Sequence, residues 1–165
     1  MKLEQAISIL KEQEEKLVFS QFTNEDAWNI GCAIVKDAME HGYQIATSIR
    51  LNNGYVVFQH GCAGSNLDNE FWMTRKSNSV KRLEMSSLRL WAQITEQGEK
   101  LENRFMDPKE YALCGGGFPI IVKNVGVIGT IMVSGLDHIA DHNMIVDHVA
   151  EYLGRIIDRF EEVEV

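Results

Sequence analysis

Leu3, Ile7 and Leu10 recur at helical spacing with Lys and Glu between them, predicting an amphipathic helix over the first 16 or so residues. A second helix is better marked. Thr23 is its expected N-cap, Asn24, Glu25 and Asp26 fill the first turn where carboxylates suit the helix dipole, and Gly42 supplies the stop. Between them Ala27, Ile30, Gly31, Ile34, Val35 and Ala38 form one apolar stripe, so this helix faces a core. From Gln44 the period changes to two. Ile45, Thr47, Ile49 and Leu51 alternate with Ala46, Ser48 and Arg50, and Asn52-Asn53-Gly54 then leads into Tyr55 to Gln59, which predicts a β-hairpin.

Gly61 to Ser65 reads as a loop, and Leu67 to Glu96 returns to helical spacing through Phe71, Val80, Leu83, Leu88, Trp91 and Ile94. One long or broken helix is expected, with Ser77-Asn78-Ser79 as the break. Asp107-Pro108 marks a boundary, followed by a short turn through Tyr111. Phe118 to Val122 and Gly126 to Val133 predict a second hairpin, and a last helix from near Asp141 presents Ile145, Val146, Val149, Leu153, Ile156, Ile157 and Phe160 to the core. The order is helix, helix, hairpin, helix, hairpin, helix, an α/β chain of the α+β type with an antiparallel sheet under packed helices.

At 165 residues the chain has room for one core, so residues 1–165 are expected to form a single domain. Its 24 acidic and 16 basic side chains give a formal charge of −8, which opposes non-specific binding to nucleic acid or an anionic membrane surface. Cys32, Cys62 and Cys114 are odd in number and form no CxxC pair, so neither a disulfide framework nor a structural zinc site is signalled. With no signal-peptide core and no apolar run of spanning length, the expected location is the cytoplasm.

Candidate chemistry concentrates near Gly115-Gly116-Gly117. Three glycines allow positive φ, remove every Cβ and can aim N–H groups at an anion, yet the run matches neither the GxGxxG nor the P-loop spacing and leads into a strand. Trp72, Arg75 and Lys76 set two cations beside an aromatic ring, a set able to stack a planar group and hold a carboxylate or phosphate. His138, Asp141, His142 and His148 invite a metal reading, but His142 and His148 are about 120° apart on a helix, so no metal site is expected and Asp141 reads as an N-cap. His60 ends a strand as a lone histidine. Cys114 is a possible nucleophile without a base specified by spacing, and Ser134 lacks the GxSxG context.

The segments Gly115-Gly116-Gly117-Phe118-Pro119-Ile120, Gly126 to Leu136 and Asp141-His142 resemble the GlcG/HbpS-like superfamily, also called the haem-degrading domain family. Phe71 to Lys76 and Ser86-Ser87 resemble one branch of it, conserved proteins that carry no assigned reaction. The resemblance implies a profilin-like fold, a central five-stranded antiparallel sheet with helices on both faces, and homo-oligomers. It also implies that some relatives bind or degrade haem, which makes haem the one cofactor to test and His60, His138 or His142 its iron ligand here. No catalytic residue is named. The expected partner is a small anionic ligand held by Trp72, Arg75, Lys76, Gly115, Gly116, Gly117 and His142; a haem protein and a structural oligomeric module are the alternatives.

Overall fold

The computed structural model describes residues 1–165. Helix α1 (Leu3–Lys16) is followed by a two-residue strand β1 (Val18–Phe19) and helix α2 (Asn24–His41). Thr23 caps α2 as its sequence requires: its hydroxyl accepts from the Asp26 N–H while Asp26 accepts from the Thr23 N–H at 2.6 Å. Gly42 ends the helix at φ +69°, a left-handed position that favours glycine. Strands β2 (Ala46–Leu51) and β3 (Val56–Gly61) form the first hairpin, and β4 (Gly117–Val122) and β5 (Gly126–Ser134) the second. Helices α3 (Leu67–Leu83), α4 (Ser87–Glu96) and α5 (His138–Leu153) complete the chain.

The five strands form one sheet in the order β1-β4-β5-β2-β3. Four strands run antiparallel, as the alternating patterns imply, but β1 pairs parallel with β4 through Val18↔Ile121 and Phe19↔Val122, so the sheet is mixed. Two residues are too few to show a period. Because β1 reaches only Ile121 and Val122, Pro119 lies where β4 is an edge and its missing N–H is tolerated.

On one face of the sheet α2 and α5 bury Ile30, Ile34, Ile145 and Val149 against Ile49, Phe118, Ile131 and Val133. Each such fully buried side chain contributes about 1.5–3 kcal/mol. On the other face α3 sets Met73 against Ala46 and Met132. Helices α1 and α4 pack Ala6, Leu10, Leu88 and Ala92 into a separate cluster that receives Ile139 and Phe160.

Two boundaries differ from the sequence expectation. The helical region breaks at Glu84–Ser86, not at Ser77–Ser79, because Ser79 is spent inside the helix, its hydroxyl donating to the Ala112 carbonyl at 2.9 Å, while Ser86 caps α4. Helix α5 begins at His138 with Asp137 as its cap and stops at Gly154 (φ +65°). Asp141 is therefore free for another role, and Ile156, expected in the core, is 90% exposed, whereas Phe160 is buried beyond the helix end.

Candidate functional site

Lys76 lies on α3, beneath the sheet, yet only 3% of the residue is exposed. Its ammonium passes the end of β5, donating to the Val133 carbonyl at 2.8 Å and to Asp141 Oδ2 at 3.0 Å on α5. The passage exists because Gly116 has no side chain: a Cβ there would sit 2.5 Å from Lys76 Nζ and overlap the Val133 carbonyl oxygen, and φ is +107°. Asp141 in turn accepts from the Leu136 N–H through Oδ1 at 2.9 Å, fixing the turn between β5 and α5. Burial pushes its carboxyl up from the ordinary carboxylate range, an effect that the Lys76 charge and the Leu136 hydrogen bond oppose.

This ion pair floors a cleft of about 350 Å³. Asp68, Asn69 and Trp72 from the start of α3 form one wall, Cys114 another, and Ser134 to Leu136 with His138 the third. The first turns of α3 and α5 both border it, so the positive ends of two helix dipoles meet there. Asn69 holds the walls together, donating through Nδ2 to the Ser134 carbonyl at 3.0 Å. A lysine ammonium has three donors, and two are spent on Val133 and Asp141, which leaves one for the cleft.

The seven residues expected to form one site separate. Trp72 and Lys76 line the cleft. Arg75 stays outside on its rim, its guanidinium 3.9 Å from the Trp72 ring centroid. The glycines form the support behind the floor: the Gly117 N–H donates to Ser87 Oγ at 2.9 Å and the Gly115 N–H to His138 Nδ1 at 3.4 Å, so these amides are taken by the protein itself. A Cβ at Gly115 would overlap the His138 carbonyl, making close packing the reason for glycine there. His142 is fully buried on another side of α5, its Nε2 2.8 Å from Gln13 Oε1 and its ring edge-on to Phe118, and it does not line the cleft. Burial lowers its pKa to about 3, which keeps the imidazole neutral.

Other chemical groups are constrained as well. Burial pushes the Cys114 thiol up, against the pull of Lys76, so the thiolate is disfavoured, and His138 Nδ1, receiving the Gly115 N–H, is not free to serve it as a base. No group of three or more His, Cys, Asp or Glu side chains is placed to hold a metal ion, and His148 instead meets Asp37 of α2 at 2.7 Å. His60 borders a separate apolar groove between α2 and β3. Sequence reasoning did not pair Lys76 with Asp141 or bring in Asp68 and Asn69. The two charges are 65 residues apart, and no local pattern links them.

The chain matches the family model described as haem degrading protein HbpS-like over residues 22–150. A UPF0303 protein of Streptomyces coelicolor is 36% identical over 149 residues, covering 90% of this chain and 94% of the relative. A UPF0303 protein of Yersinia enterocolitica is 34% identical over 155 residues, covering 93% and 92%. Among solved structures, the Ybr137w protein superposes with a TM-score of 0.82 at 30% identity over 90% of this chain and 87% of that one. The PduOC:Heme complex superposes at 0.66 with 17% identity, over 78% and 93%, a likeness of fold. No helix is long and apolar enough to cross a membrane.

Proposed function

The chain belongs to the HbpS-like family, and from that premise we propose that it is a homo-oligomeric small-molecule-binding protein whose site is the cleft above Lys76 and Asp141. The observation that carries this reading is the buried ammonium of Lys76, held in place by two acceptors with its third donor left to the cleft. Two helix N-termini add favourable potential for an anionic group, while Asp68 and Asp141 restrict it to a ligand that places that group near Lys76. Trp72 supplies a flat apolar wall for the rest of the molecule. The arrangement binds and orients; it provides no activated nucleophile.

The test is a binding screen by thermal shift and calorimetry, using small carboxylates, phosphate esters and ferric haem as probes. A carboxylate or phosphate ester that stabilises the protein should bind roughly tenfold or more weakly to Trp72→Ala, since a stacking wall is lost. If every detected ligand binds Trp72→Ala and Lys76→Met with unchanged affinity while both variants remain folded, the cleft is not the site. Haem is the ligand that the PduOC relative's name points to, and a Soret titration in the same screen tests it directly.

A further inference from the structure

We propose that the face formed by β3 and the adjoining side of α2 is where one copy of this chain docks against a second copy. The inference rests on the homo-oligomer reading above and names the surface responsible. Strand β3 ends the sheet, pairing with β2 and with nothing on its other side. Its sequence Val56-Val57-Phe58-Gln59-His60-Gly61 carries no charge and no proline, two of the devices by which monomeric proteins usually blunt a free edge, and its one register irregularity lies near its start, at Val57. Around it the surface is unusually apolar. Trp28, Met39 and Tyr55 are each more than 60% exposed, Val56 is 41% exposed, and a groove of about 420 Å³ runs between Trp28, Met39 and Phe58.

Three grounds select a second copy as the occupant. No stretch of these 165 residues is free to add a strand: the other strands are already in the sheet, and the segment after α5 is docked elsewhere by Phe160 and by the Glu164 N–H donating to the Met1 carbonyl. A twofold axis supplies the missing strand antiparallel and sets the apolar groove against its own equivalent. Lys36 and Glu40 border the groove one helical turn apart, and neither takes part in the ion pairs of the chain. Antiparallel α2 helices bring Lys36 of one copy toward Glu40 of the other. The charges at the groove thus cancel, whereas the whole chain carries −8, so this is a face on which two copies approach without net repulsion.

Light scattering and sedimentation on the full chain test the proposal. The native protein is expected to be a dimer or a larger assembly, and Trp28→Glu with Val56→Lys, both at exposed positions, should weaken that association roughly tenfold or more with unchanged far-UV circular dichroism. Val125→Lys, at an exposed apolar residue of the β4–β5 turn that does not line the groove, should leave the mass unchanged. Lys36→Glu and Glu40→Lys should each weaken assembly, and the double exchange should restore it. A monomeric native protein overturns both the oligomer reading and this surface. An assembly indifferent to Trp28→Glu/Val56→Lys overturns the surface alone.

Discussion

Arg75 and Lys76 are neighbours in sequence and both cationic, but they belong to different parts of the cleft. At the floor, Lys76 is enclosed, its charge set against Asp141 and its position made possible by the absence of a side chain at Gly116. At the rim, Arg75 lies on the Trp72 ring, and its guanidinium makes only long contacts to the Phe71 and Pro108 carbonyls at 3.4 and 3.5 Å. Successive residues of a helix point about 100° apart, so a doublet of cations on α3 cannot serve as one binding fork unless both sides of the helix face the ligand. The floor is therefore part of the fold, while the rim can vary without it.

That contrast breaks most visibly at the floor. Lys76→Met removes the cation from a buried carboxylate and should cost about 3–5 kcal/mol, read as a fall in the denaturation midpoint. Adding Asp141→Asn removes the stranded charge and should recover part of the loss; a double variant as unstable as the sum of the singles would show that the two charges do not act as a pair. Gly116→Ala comes next, at roughly 2–3 kcal/mol, since it combines a positive φ with overlap of the Val133 carbonyl. Gly98→Ala has a positive φ of +65° in open space and should cost only about 1 kcal/mol in the same denaturation experiment.

His142 sharpens the comparison in another way, because the helix that buries a charged residue at 141 buries a neutral one at 142. The folded chain holds its pKa at about 3 against an ordinary 6.5, so between these values the unfolded chain binds the extra proton. Its contribution is whole above pH 6.5 and declines as the pH falls toward 3, with a slope of up to about 1.4 kcal/mol per pH unit. His142→Gln, which can keep a partner for Gln13, should flatten the acid limb of the stability–pH curve by about that slope. Equal slopes in the two proteins would mean that His142 does not stay neutral in the fold.

The elements that could be read from sequence are those with local causes. The cap at Thr23, the stop at Gly42 and the period-two runs of both hairpins follow from neighbouring residues. Where a distant partner decided the outcome, the local pattern misled. Ser79 looked like a breaker but bonds Ala112, 33 residues away, and Asp141 looked like a cap but meets Lys76 across 65 residues. The glycine run lies behind the cleft floor, next to Cys114 and Lys76. Its chemistry was less visible, because Gly116 makes room for the ammonium and Gly115 for the His138 backbone, while the Gly115 and Gly117 amides bond His138 and Ser87.

The smallest expected effect belongs to the rim and is the one that separates its roles. Arg75→Ala should lower stability by about 0.5–1 kcal/mol, the scale of an exposed cation–π contact, with no change in the acid limb. Its effect on binding depends on how the guanidinium acts. If it draws an anionic ligand from solution, the variant should bind a few-fold more weakly at low salt, and the deficit should shrink as salt rises, since charges at an open rim are screened over about 10 Å at 0.1 M. A deficit that persists unchanged at high salt would instead mean that Arg75 acts by holding the Trp72 ring against the cleft. The rim would then be an extension of the packed floor, and the division between Arg75 and Lys76 would be one of degree.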